Sequence, residues 1–219
     1  MMNKKMIIFL LILLVMVFLP AQFEVIAKEG NETSIQQLGN ELQAEVSQKG
    51  TENSTNINQW GSVNIESLQN VNAIVKQEGS ENTAHIEQSF MFNAWSAQDV
   101  TGRIDQSGSG NEAFIGQGGT VNVESMEAST AEIEQEGSNN NASIIQSGVF
   151  NSGNNSNNNA FISQNGKNND GQINQFGGNN FSRIEQQGEG NQAVINQFGE
   201  GNETSIIQIG NGNRASVSQ

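Results

Sequence analysis

The chain has 219 residues, 34% of them hydrophobic, with 24 Gly, one Pro, no Cys and a formal net charge of −14. The acidic balance excludes nucleic acid, whose phosphates need a basic partner, and the lack of Cys excludes disulfides as a source of stability. Such a composition belongs to a disordered chain unless the few apolar residues are ordered along the sequence.

Lys4 and Lys5 open a short basic segment, Ile7 to Leu19 form an uninterrupted apolar run, and Pro20 ends it. Val25 and Ala27 place small residues three and one before a cleavage point. The run is shorter than the roughly 20 residues a bilayer span needs. Residues 1–27 therefore read as a signal peptide and 28–219 as the exported domain, with no membrane span after cleavage.

From residue 31 onward the chain is a tandem repeat marked by Gln. Gln37, Gln48 and Gln59 are 11 apart, as are Gln164, Gln175, Gln186, Gln197, Gln208 and Gln219. Between them the pairs Gln77/Gln88, Gln106/Gln117 and Gln135/Gln146 recur every 29 residues, which makes fifteen half-repeats. Two residues before each Gln stands Ile or Val: Ile35, Val46, Ile57, Val75, Ile86, Ile104, Ile115, Ile133, Ile144, Ile162, Ile173, Ile184, Ile195, Ile206 and Val217. Four before it the residue is Ala, Thr, Ser or Gly, and six before it Asn dominates. Two after it Gly stands in thirteen of the fourteen units that continue, Phe90 being the exception.

A period of two with β-branched residues at the apolar position is a strand with one face turned inward, and Gly supplies the positive φ of a tight turn. A helix would need apolar spacings of three and four. One short strand cannot bury its own face, so the units must stack. The expectation is an all-β solenoid in which two half-repeats make one coil: seven coils and a leading strand, roughly 36 Å tall at about 4.8 Å per coil. Ile and Val form its core. Gln48, Gln77, Gln106, Gln135 and Gln164 align in one column, and Gln59, Gln88, Gln117, Gln146 and Gln175 in the other, so their amides form ladders. The seven extra residues of each long coil fall at VNIESL (63–68), FNAWSA (92–97), VNVESM (121–126) and FNSGNN (150–155). They read as a short third strand or an excursion loop, apolar content favouring a strand in the first three.

The unit QSGSGNEAFIGQ at 106–117 fits the pattern Gln-x-Gly-x-Gly-Asn-x-Ala-x3-Gln, as do QQGEGNQAVINQ at 186–197 and QIGNGNRASVSQ at 208–219. With QFGEGNETSIIQ at 197–208, which differs only by Thr204, these resemble the curlin repeat of curli fibre subunits. The resemblance implies an extracellular, self-polymerising amyloid subunit for cell adhesion and biofilm matrix. Its partners would be further copies of itself, a nucleator subunit and an export or chaperone apparatus. The 29-residue coils depart from the regular 22-residue curlin repeat, and the first repeat begins at Asn31 without the family's usual secretion-targeting segment.

Solenoid ends expose unpaired strand edges, which capping units usually cover. Here a regular repeat begins about four residues after the expected cleavage point and Gln219 closes a regular repeat, so copies are expected to continue one another head to tail. Glu87, Asp105, Glu134 and Glu185 on outward positions, with Glu78, Glu136, Glu189 and Glu200 in turns, would restrain premature assembly. Growth is then expected to accelerate at mildly acidic pH or with divalent cations.

Catalytic chemistry has little support. His85, the one His, is outward and aligned with Phe114. Asp99, Asp105 and Asp170 are too few for calcium-binding nonapeptides, and no cofactor or metal is expected. Trp60, Trp95, Phe176 and Phe198 are read as packing in turns. The competing reading is a soluble secreted solenoid that binds carbohydrate or a surface.

Overall fold

The computed structural model describes residues 22–26, 30–38, 42–61, 67–91, 96–120, 126–127, 129–148 and 157–219. The expected signal run (Lys4 to Pro20), the cleavage residue Ala27, Trp95 and all or most of each seven-residue insertion (63–66, 92–95, 121–125 and 150–155) lie outside them.

Every described element is a strand. One eight-stranded sheet, here the first sheet, stacks in the order β1 (Gln22–Ile26), β3 (Leu42–Thr51), β6 (Val71–Ser80), β9 (Thr101–Ser109), β12 (Thr130–Ser138), β14 (Asn159–Lys167), β16 (Phe181–Glu189) and β18 (Glu203–Ile209). The second holds β2 (Glu32–Leu38), β4 (Ser54–Gly61), β7 (Thr83–Met91), β10 (Glu112–Thr120), β13 (Asn141–Gly148), β15 (Asp170–Phe176), β17 (Gln192–Phe198) and β19 (Arg214–Ser218). All pairings are parallel, and the repeats stay in strict register: Gln77 lies beside Gln48 and Gln106, and Ile115 beside Ile86 and Ile144. Parallel strands joined by crossovers that alternate between two sheets are a β-solenoid.

The reason is visible in each strand. Burial alternates along it, as in β12, so Ala131, Ile133 and Gln135 point inward while Glu132 and Glu134 point out. The interior is one continuous stack of Ile, Val and Ala, from Ala44 and Val46 through Ile104 and Ile133 to Ile206. Burying each large aliphatic side chain contributes about 1.5–3 kcal/mol. Ile57, Ile86, Ile104, Ile115, Ile133, Ile144, Ile162, Ile173, Ile184 and Ile195 are fully enclosed; Ile35 in the first rung of its sheet is only partly buried.

Two expectations are refined. Instead of seven coils and a leading strand, each long sheet has eight rungs. Residues 22–26, assigned from sequence to the signal peptide, form β1 and lie on β3 with Val25 opposite Val46. Among the described residues, the C-terminal ends of the first three insertions form a third, three-stranded sheet: β5 (Ser67–Gln69), β8 (Ser96–Gln98) and β11 (Met126–Glu127).

Candidate functional site

The turns decide which groups reach the interior. Between first-sheet and second-sheet strands the chain bends at two left-handed residues, the Gly two after the Gln and the residue four after it. Gly79 (φ 123°) and Glu81 (φ 59°) form one such pair, Gly137 (φ 117°) and Asn139 (φ 54°) another. Gly is needed at the first position for more than its φ. A Cβ on Gly108 would lie 1.8 Å from the carbonyl oxygen of Gly137 in the next coil. Where a long excursion leaves the second sheet, β4, β7, β10 and β13 instead run on through Gly61, Phe90, Gly119 and Gly148. A strand that continues needs no Gly there, which is why Phe90 is accepted.

Inside, the Gln side chains lie end to end. In the first column Gln48, Gln77, Gln106, Gln135, Gln164 and Gln186 each donate through Nε2 to Oε1 of the next, ending on Gln208, at 2.8–2.9 Å. In the second, Gln37, Gln59, Gln88, Gln117, Gln146 and Gln175 do the same, ending on Gln197, at 2.6–3.1 Å. Gln219 joins through Thr204, whose hydroxyl donates to its Oε1 and accepts from Gln197. The second amide proton is also used: Gln106 Nε2 donates to the carbonyl oxygens of Thr83 and Asn111, both at 3.0 Å. Both ladders have one polarity, donors facing the C-terminal coils. Such aligned chains polarise one another.

The sequence leads to an expectation of amide ladders from both Gln and the Asn that dominates six before it, but only the Gln residues are named there as the ladder. The structure gives the Asn equal standing. Asn53, Asn82, Asn111, Asn140, Asn169, Asn191 and Asn213 descend one corner below Asn31. In each, the Asn backbone N–H and Nδ2 both donate to Oδ1 of the Asn above, as in Asn82 to Asn53 at 3.1 Å. The Asn53, Asn82 and Asn111 amides also donate to the turn glycine carbonyls of the coil below, Gly79, Gly108 and Gly137. The opposite corner changes identity along the chain. Leu42, Val71 and Val100 occupy it in early coils, then Ser129, then Asn158, Asn180 and Asn202. Asn158 reaches the carbonyl oxygen of Gly177 at 2.7 Å, an acceptor that a tight turn supplies.

The outer faces carry charge and rings. Glu134 lies beside Asp105, and Asp105 beside Lys76. Arg103 sits between carboxylates, 3.3 Å from Asp105 and 3.4 Å from Glu132, and Arg183 pairs with Glu185. Glu78 pairs with Lys49. Three of the carboxylates expected to act as gatekeepers are thus partnered. His85 stacks on Phe114 with ring centroids 5.3 Å apart. Phe176 and Phe198 do not pack into the turns; they stack on each other outside at 5.2 Å, and Trp60 is also exposed. Among the described residues no group of three or more His, Cys, Asp or Glu side chains could hold a metal ion, and no helix is long and apolar enough to cross a membrane.

These features define a class: a parallel β-solenoid whose interior is threaded by continuous side-chain amide ladders. The family model for the curlin associated repeat matches residues 166–199, 177–210 and 188–219, and the chain is a curlin-repeat protein over that span. The earlier half-repeats stand in the same columns by strand register. No curated protein matches the sequence.

Proposed function

We propose that this chain is the structural subunit of an extracellular, curli-like amyloid fibre that polymerises with copies of itself in cell adhesion and biofilm matrix, and that it has no catalytic role. The observation that carries this reading is that every rung presents the same columns to the next. Ile206 and Gln208 in β18, and Ala215 and Val217 in β19, repeat the residues by which the internal coils recognise one another. A parallel edge that carries these columns is a template for another chain of the same pattern.

Export through the signal peptide, cleavage after Ala27, and help from a nucleator and an export apparatus belong to the same proposal. The test is seeded growth. Exported protein should convert to thioflavin-positive fibres, with a lag that preformed fragments abolish. A protein that stays monomeric for days with seeds present would refute the reading and favour the soluble binding module.

A further inference from the structure

The two long sheets turn very different surfaces outward. We infer that the outer face of the second sheet is an interface on which a second copy of the chain packs face to face, so that fibres associate sideways in pairs. The inference rests on the proposed function and adds to it the surface through which two fibres meet.

Charge separates the two faces. In the first sheet β3, β6, β9, β12 and β16 each place two or three charges at the outward positions three before, one before and one after the Gln; Arg103 with Asp105, and Glu132 with Glu134 and Glu136, are examples. At the same positions of the second sheet Glu87 is the one Asp, Glu, Lys or Arg among the described residues. A chain of net charge −14 repels its copies, so broad contact between them needs a surface that carries little of that charge. Exposed apolar groups point the same way. Leu38, Trp60 and Phe198 share one outward column of the second sheet, whereas those of the first sheet, Ile26, Ile207 and Ile209, stand at its outermost strands.

The face is flat and its polar groups need little water. Asn174 donates to Asn196 at 2.8 Å, His85 stacks on Phe114, and the Phe114 ring lies over Gly116, where a Cβ would meet it at 3.0 Å. Asn56 Oδ1, Asn58 Oδ1 and His85 Nε2 are already enclosed without a partner, so a covering copy takes no exposed surface from them. A two-fold axis along the stack, through the column of Glu87, Gly116, Ile145 and Asn174, makes the face its own partner. It sets large groups against small ones: Phe114 against the copy's Gly118, His85 against its Ser89 and Trp60 against its Asn56. Eight rungs at about 4.8 Å and roughly 20 Å of strand give each copy about 700 Å², near the ~800 Å² per partner of a standard interface. One mismatch remains: Glu87 faces its own counterpart.

Cryo-electron microscopy of fibres grown from the purified exported chain tests this, with the variants Glu87→Gln, Ile145→Lys and Ser163→Lys. Filaments should pair with two second sheets about 10 Å apart and the charged first sheets outside. Glu87→Gln should raise the paired fraction roughly two- to fivefold by removing the like-charge contact. Ile145→Lys should lower it roughly tenfold or more, because two ammonium groups would be buried against each other. Ser163→Lys, in the matching column of the first sheet, should leave pairing unchanged, and seeded elongation of all three should stay near the parent rate. Filaments that stay single, pairs joined through the first sheet, or pairs that form only with another component would overturn the inference and leave the proposed function intact. No fibres at all would overturn both.

Discussion

Gln106 has no exposed surface, yet both of its amide protons have acceptors and its oxygen accepts from Gln77. Burial of this kind is tolerated only when the group is fully satisfied. Gln106→Leu keeps roughly the volume but takes from Gln77 Nε2 one of its acceptors and from Gln135 Oε1 its Gln106 donor, which should cost about 1–3 kcal/mol in all. The outward Gln36→Leu should cost almost nothing. Guanidinium midpoints of the two variants check this; equal midpoints would mean that the ladder adds no stability. Gly108→Ala combines a left-handed φ with a clash against backbone, and should lose roughly 1–3 kcal/mol or more.

The strands and their columns were legible in the sequence because a period of two with Ile or Val before Gln admits few alternatives. The corners were not. Whether Asn or an aliphatic residue plugs a corner depends on whether a glycine carbonyl of the next coil comes within reach, and that depends on turn length. Asn158 has Gly177, in the tight turn of the next coil, to bond, whereas the coil after Val100 runs on through Gly119 in β10 into an excursion. Val100→Asn should therefore destabilise by about 1–3 kcal/mol through an unsatisfied amide, and Asn158→Val by a similar amount through the loss of acceptor and donor. Denaturant melts of both variants measure it; a neutral Val100→Asn would show that the corner can supply partners after all. The extra rung β1 was also illegible, since its residues read first as a processing segment. Arg103 was overlooked because stacking places it beside Glu132 of the next rung, whereas Arg183 pairs within its own strand, with Glu185.

At the scale of the whole molecule, a core of Ala and Ile or Val columns from both sheets runs through the stacked coils, and every coil touches only its neighbours. Stability in such an array is close to a sum of nearest-neighbour terms, so lengthening it by another copy adds interfaces without a new fold. The opposing term is the net charge of −14, which repels approaching copies. Elongation should accelerate as salt rises from about 10 to 150 mM, where the screening length falls from roughly 30 to 8 Å. A rate independent of salt would show that the surface carboxylates do not restrain assembly. The most direct test of a solenoid continued from copy to copy is X-ray diffraction from aligned fibres. Strands perpendicular to the axis give a sharp meridional reflection near 4.8 Å and an equatorial one near about 10 Å. Fibres with no meridional reflection at that spacing would contradict it.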